Sequence, residues 1–148
     1  MKAFLRYWLP LLVWMALIFV GSTDLMSAEH TSRFIVPFLR WLDPNISLET
    51  VLQVHFYVRK AAHVSEYTIL AALLYRALVN TILQSRVLLP AAIVLLGCSL
   101  YAMTDEFHQS FVPSRTASAR DVAIDSAGAL IGLLIIYRFQ REPIRVKY

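Results

Sequence analysis

Residues 121–137 read D-V-A-I-D-S-A-G-A-L-I-G-L-L-I-I-Y, an apolar stretch with two aspartates near its start. Asp121, Asp125, Gly128 and Gly132 recur at i, i+4, i+7 and i+11, so an α-helix carries all four on one face. Glycines four residues apart allow helix backbones in a membrane to approach closely. The stretch therefore predicts a membrane helix that packs this face against a neighbour and turns both aspartates inward.

Three other stretches are apolar enough to enter lipid. Residues 7–23 and 87–104 carry no charge, and residues 56–80 carry most of their charges in the first half. Helices of about 20 residues match a hydrocarbon core about 30 Å thick. We therefore predict a single domain over residues 1–148, all-α, a polytopic membrane protein built as a four-helix transmembrane bundle. Its helices are expected at about residues 5–23, 56–80, 87–109 and 119–138.

The segment between the first two predicted membrane helices is mixed in character. Phe34, Phe38 and Trp41 recur at helical spacing beside arginines, which predicts a short amphipathic segment at the membrane interface. Pro37 and Pro44 argue against one long helix there. Ser47 is expected to cap a short helix that follows.

Composition supports lipid as the solvent. The chain is 58% hydrophobic and 16% charged, whereas a soluble domain is about half apolar and about a quarter charged. The net charge is +4, but the Lys and Arg residues flank apolar segments instead of forming a stripe, so we expect membrane lipids and no nucleic acid as partners. The single cysteine, Cys98, excludes an intrachain disulfide and a C-x-x-C motif.

The distribution of charge predicts an orientation. With four spans, the termini and the 80–86 loop share one side, which holds eight of the 14 Lys and Arg residues and one of the 10 acidic residues. The positive-inside rule then places both termini in the cytoplasm and the polar clusters outside. The opening also resembles a signal peptide, but its apolar run is longer than usual and favours an uncleaved helix.

Three polar clusters adjoin the apolar stretches on the predicted outer side. Ionisable groups are costly in a membrane and usually mark a function. Helical spacing turns the three clusters toward one pocket, in which Arg115 is expected to fold inward to within salt-bridge reach of the carboxylates. The predicted pocket residues are Arg59, His63, Glu66, Asp105, Glu106, Gln109, Arg115, Asp121 and Asp125.

Simpler interpretations stay open for several of these residues. Arg59 and Lys60 could anchor a helix at the lipid interface, and His63 could be a packing residue. Glu66 could form a structural ion pair, and Asp105 with Glu106 could be end charges at the interface. Ser118-x-x-Asp121 matches a capping box, so Asp121 could only cap its helix.

The motifs R-K-x-x-H-x-x-E-Y (59–67), D-E-x-H-Q-x-F-V-P-x-R (105–115) and D-V-x-I-D-x-x-G (121–128) resemble the VanZ-like family of bacterial integral membrane proteins. The resemblance covers about residues 5–138. It implies a location in the bacterial cytoplasmic membrane and functional roles for the nine pocket residues and for Lys60. The family's namesake is associated with resistance to the glycopeptide antibiotic teicoplanin. Many relatives carry Asn where this chain has Asp125.

Three classes of function fit these residues. The favoured class is an envelope-associated protein that binds or modifies a lipid, a lipid-linked molecule or a peptide, with Arg59 and Arg115 holding an anionic group. The alternative is an intramembrane hydrolase or transferase that uses His63 and the carboxylates as acid and base or as metal ligands. The metal-ligand candidates are His63, Glu66, Asp105 and Asp125; the cofactor is left open. A proton-coupled transporter is the third class.

Overall fold

The computed structural model describes residues 2–83 and 88–141. This part of the chain forms five α-helices: α1 (Lys2–Gly21), α2 (Ala28–Leu42), α3 (Leu48–Thr81), α4 (Leu88–Gln109) and α5 (Ala119–Arg141). A short 3-10 helix at Asp24–Met26 links α1 to α2. Three helices, α1, α4 and α5, are long and apolar enough to cross a membrane. The predicted all-α class is thus confirmed, and residues 84–87, which include the predicted start of the third helix, lie outside the described residues.

Helix α3 is longer than the sequence predicts. It runs for 34 residues and joins the short helix expected after Ser47 to the helix expected at residues 56–80. Ser47 caps it as predicted, because its hydroxyl accepts a hydrogen bond from the Thr50 amide at 3.1 Å. A helix of this length spans about 51 Å at about 1.5 Å per residue, so it exceeds the hydrocarbon core of about 30 Å.

Helix α2 ends just before Pro44, so the prediction that the segment is not one long helix is confirmed, but Pro37 does not interrupt it. It is one continuous helix of 15 residues with Pro37 inside. Ser27 caps its start, since the His30 amide donates to the Ser27 hydroxyl. Phe34, Phe38 and Trp41 are exposed on it, as expected for an amphipathic helix at a lipid interface.

Helix α3 lies at the centre and packs against α1, α2, α4 and α5. The closest approach is to α5, because a Cβ on Gly128 would lie 2.6 Å from the Val64 carbonyl oxygen and a Cβ on Gly132 would lie 2.5 Å from that of Thr68. The predicted glycine face is therefore confirmed, with α3 as its neighbour. Next to this contact, Tyr67, Ala71 and other mainly apolar side chains form the buried core.

Candidate functional site

The polar residues converge where the carboxyl ends of α1 and α4 meet the amino end of α5 and the middle of α3. Seven polar side chains in this region are at most 6% exposed. They come from α3, α4, α5 and the segment just after α1. These buried side chains are Ser22, His63, Asp105, Glu106, Gln109, Asp121 and Asp125.

Lys60 and Arg59 both face Asp121. The Lys60 ammonium forms an ion pair with Oδ1 of Asp121, and Nη2 of Arg59 lies 3.4 Å from Oδ2. The Asp121 side chain is 1% exposed, whereas the Lys60 side chain is 22% exposed. An ion pair with a buried carboxylate argues against a role for Lys60 as a lipid-facing anchor alone.

The capping box considered for α5 is not formed. The Ser118 hydroxyl accepts a hydrogen bond from the Arg120 amide, whereas the motif requires the amide of the next residue, Asp121. The Ser118 amide, however, donates to Oε2 of Glu106 at 2.7 Å. Glu106 of α4 therefore accepts the hydrogen bond from the Ser118 amide that the motif assigns to Asp121. The Asp121 carboxylate instead pairs with the basic side chains of α3.

His63, Glu106 and Asp125 form a buried group behind this ion pair. Nδ1 of His63 lies 3.0 Å from Oδ1 of Asp125, and one ligand atom from each of the three residues lies within 4.8 Å of the other two. Oε1 of Glu106 and Oδ2 of Asp125 are buried without a hydrogen-bond partner. The only group of possible metal ligands found in the described residues thus differs from the predicted candidates, because it contains Glu106 in place of Glu66 and Asp105.

Asp105 is held by two neighbours instead. The Ser22 hydroxyl donates to its Oδ1, and the Gln109 amide donates to its Oδ2 at 3.0 Å. Sequence reasoning missed Ser22, although its place at the polar end of the first apolar stretch was a usable signal. It also left Tyr67 of the first motif without a role, yet the Tyr67 hydroxyl is buried without a partner.

Arg115 folds inward as predicted but does not find the predicted partners. Its guanidinium donates to the carbonyls of Gly21 and Thr23, at 3.0 Å for Nη2 to Thr23. Among the described residues, no carboxylate forms an ion pair with it, so the predicted salt bridge is wrong. The reason is that α1 ends beside the 110–118 loop and offers carbonyls that lack helical partners. Burial lowers the pKa of Arg115, but a guanidinium stays charged.

The same loop is held at a second point. The Ser114 hydroxyl donates to Oδ1 of Asp24, and this hydrogen bond is the main cause that lowers the pKa of the Asp24 carboxyl. The loop between α4 and α5 is therefore fastened to the segment that follows α1.

A cavity of about 380 Å³ opens beside these groups. Glu66 faces it, and no described side chain donates a hydrogen bond to the Glu66 carboxylate, so the structural ion pair considered above is absent from this part of the chain. Its lining combines charged and polar side chains with apolar side chains of α2 and α3. The lining residues are Gly21, Ser22, Thr31, Ile35, Leu52, His55, Phe56, Val58, Arg59, Ala62, His63, Glu66, Gln109 and Arg115.

All ten predicted residues thus lie in one region, but no hydrogen bond or ion pair among the described residues joins the Glu66 carboxylate to the others, and whether the ten are functional stays a prediction. A helical chain with three apolar helices of membrane-spanning length and a buried polar region at their ends belongs to the class of integral membrane proteins. Within that class, residues 7–140 match the VanZ/LLP1 family, and the chain belongs to it. The resemblance predicted from the three motifs is confirmed. Neither the curated proteins nor the solved structures gave a match.

Proposed function

We propose that the chain is a four-span protein of the bacterial cytoplasmic membrane whose outward-facing cavity binds a phosphate-bearing lipid or lipid-linked molecule. The single observation that carries this proposal is the mixed lining of the cavity, which includes two arginines as well as apolar side chains of α2 and α3. Its volume of about 380 Å³ lies within the range of small-molecule pockets, about 300–1,000 Å³. A ligand with an anionic head and an acyl or isoprenoid chain matches this mixed lining.

The state of the two arginines supports an anionic head. All three hydrogen bonds of Arg59 come from Nη2, and they are long, at 3.3–3.4 Å. Its Nε is buried without a partner. Arg115 donates to carbonyls, which do not neutralise its charge. A phosphate between the two guanidiniums would offset their repulsion and accept bidentate hydrogen bonds.

The proposed fourth span is α3. Its ionisable side chains Arg59, His63 and Glu66 face the cavity, and its second half packs inside the bundle. Ionisable residues within membrane helices face the interior or a polar cavity, so their presence is compatible with crossing. The excess of Lys and Arg near the termini supports cytoplasmic termini.

Ligand-induced stabilisation of the purified chain in a non-ionic detergent tests the proposal. Phosphatidic acid should raise the melting temperature, because a ligand that binds only the folded state stabilises it. Diacylglycerol with the same acyl chains shows whether the phosphate is needed, and inorganic phosphate shows whether the acyl chains are needed. Both should raise the melting temperature much less. Arg59→Ala should abolish the shift, and Arg120→Ala, at an exposed position, should keep it.

Three results would contradict the lipid proposal. Equal shifts for Arg59→Ala and Arg120→Ala would mean that the lipid binds elsewhere. Equal shifts with phosphatidic acid and inorganic phosphate would indicate a site for a soluble anion. A shift with anionic peptides alone would indicate a peptide ligand.

A second candidate is the hydrolysis or transfer of a group on the same ligand. It is favoured by the 3.0 Å contact between His63, which lines the cavity, and Asp125, because a carboxylate can orient a histidine that acts as a base. In hydrolysis, water would add to phosphorus, its proton would pass to His63, and the alcohol would leave with a proton. Release of inorganic phosphate from phosphatidic acid by the wild type and not by His63→Gln would support this function. Its absence would leave binding alone.

A further inference from the structure

The charges around the site do not balance. Five carboxylates lie in the region, on Glu66, Asp105, Glu106, Asp121 and Asp125, against three fixed cations on Arg59, Lys60 and Arg115. Two negative charges are therefore in excess when histidine is neutral. Uncompensated charges in a low-dielectric interior are very costly, so the region needs protons or a bound cation.

The excess is concentrated at Glu106 and Asp125. Asp121 takes both Lys60 and Arg59 as ion-pair partners, and Asp105 receives two neutral donors. No described Lys or Arg forms an ion pair with Glu106 or Asp125, whose side chains are 5% and 0% exposed. Each also keeps one buried oxygen without any partner. Both carboxylates are thus more than nine-tenths buried next to a histidine, and each has an oxygen that lacks a hydrogen-bond donor or cation.

We infer that His63, Glu106 and Asp125 form a binding site for one divalent transition-metal ion. Their ligand atoms lie within 4.8 Å of one another, and donors about 2.0–2.2 Å from a zinc ion lie about 3.4 Å apart in tetrahedral geometry. The three side chains would thus need to close by at most about 1.4 Å. One imidazole nitrogen and two carboxylate oxygens suit Zn²⁺, Fe²⁺ or Mn²⁺. Three protein ligands leave a fourth position open.

The surroundings of the three residues fit a metal centre. The Ser118 amide donates to Oε2 of Glu106 at 2.7 Å, which fixes the carboxylate and leaves Oε1 for an ion. His63 also lines the cavity, so an ion can reach the group without opening the bundle. Like the carboxylates of other metal sites, Glu106 is therefore oriented by a hydrogen bond from outside the ligand set. This inference does not depend on the lipid ligand proposed above.

Metal binding by the full-length purified chain in detergent tests the site. After chelation and removal of the chelator, Zn²⁺ and Co²⁺ would be titrated separately, with bound metal measured by mass spectrometry and the Co²⁺ site by visible absorption. The wild type should bind about one ion per chain and melt at a higher temperature with the ion. Glu106→Gln and Asp125→Asn should each weaken binding roughly tenfold or more.

Glu49→Gln is the matched control, because it makes the same chemical change at an exposed carboxylate of α3. It should bind like the wild type. The metal-free melting temperatures guard against a folding defect, because Glu106→Gln and Asp125→Asn remove excess charge and should leave the metal-free protein at least as stable. No binding by the wild type, or equal binding by Glu106→Gln and Glu49→Gln, would overturn the site and indicate that bound protons balance the carboxylates.

Discussion

Arg115 closes the open end of α1. The last carbonyls of a helix have no partner within it and carry partial negative charge. The guanidinium of Arg115 covers one of them, at Gly21, and also the Thr23 carbonyl two residues beyond the helix, with three hydrogen bonds from Nε and Nη2. The side chain therefore joins the end of α1 to the loop between α4 and α5, and it holds one wall of the cavity in place.

Replacing Arg115 should harm folding as well as ligand binding. Hydrogen bonds to charged groups contribute about 1.5–3 kcal/mol, so we expect Arg115→Ala to lower the free energy of unfolding by roughly that amount. Arg115→Lys should recover part of it, since lysine keeps the charge but loses the planar fork. Denaturation with sodium dodecyl sulfate in mixed micelles measures the change. Arg120→Ala is the control, and equal effects at positions 115 and 120 would contradict the proposed role.

Lys60 and Asp121 should behave as a coupled pair. Loss of one partner leaves the other charge without compensation, which is costly when the carboxylate is 1% exposed. We expect Lys60→Met and Asp121→Asn each to destabilise the chain, and the double variant to lose less than the sum. The coupling energy should fall within about 0.5–3 kcal/mol. Additive losses in the same denaturation assay would show that the ion pair is not a stabilising contact.

The sequence predicted which residues meet much better than it predicted how they pair. Which residues belong to the polar region follows from helical periodicity, since residues four apart share a helix face regardless of the neighbouring helix. Pairing depends on how far each helix is shifted and rotated against its neighbours. Glu106 illustrates the difference, because its bond to the Ser118 amide joins two helices whose offset no local pattern encodes. The group with metal-ligand spacing differs from the four candidates named from the sequence for the same reason.

At the scale of the elements, Pro10 shows how a helix can carry an internal proline. Pro10 lies well inside α1 and has no amide hydrogen for the Arg6 carbonyl. The guanidinium of Arg76 on α3 donates to that carbonyl at 2.9 Å. Neighbouring helices commonly satisfy such freed groups in membrane proteins. A long-range contact of this kind explains why the proline does not end the helix, and sequence periodicity could not reveal it.

The glycines of α5 set the distance between α5 and α3. A methyl group at Gly128 or Gly132 would overlap backbone atoms of α3, which cannot move aside as a side chain can. We expect Gly128→Ala and Gly132→Ala each to cost about 1–3 kcal/mol or more through overpacking. Because Lys60, His63 and Asp121 lie just above this contact, metal and lipid binding should weaken as well. Melting temperatures and ligand titrations of the purified variants measure both effects.

Gly97 provides the matched control on α4. A Cβ there would meet only Cδ2 of Leu74, at 3.3 Å, and a leucine side chain can turn away. Gly97→Ala should therefore be tolerated much better than either α5 variant. Equal losses at positions 97 and 128 would mean that close α3–α5 contact is not what these glycines provide.

At the scale of the whole molecule, α3 is the one predicted span that its hydropathy does not identify. Arg59, His63 and Glu66 in its middle face the cavity and Lys60 pairs with Asp121, so a window average over α3 includes charges that do not face outward. The same inward placement let the sequence predict α3 as a membrane helix, because the charges share a face. The extension of α3 beyond a bilayer thickness and its packing against α2 were not predictable, since they depend on contacts between segments far apart in the chain.

Labelling of single cysteines on intact cells distinguishes the possible topologies. In a Cys98→Ala background, Asn45→Cys, Ile82→Cys and Ala117→Cys place exposed thiols after α2, α3 and α4. With four spans and cytoplasmic termini, an impermeant maleimide should label positions 45 and 117 from outside and position 82 only after permeabilisation. If α3 does not cross the membrane, α4 crosses in the opposite direction and the loop after it lies on the cytoplasmic side. Positions 45 and 82 would then react from outside, and position 117 would not. Reaction at position 82 alone would keep four spans but invert them, and the cavity would then face the cytoplasm.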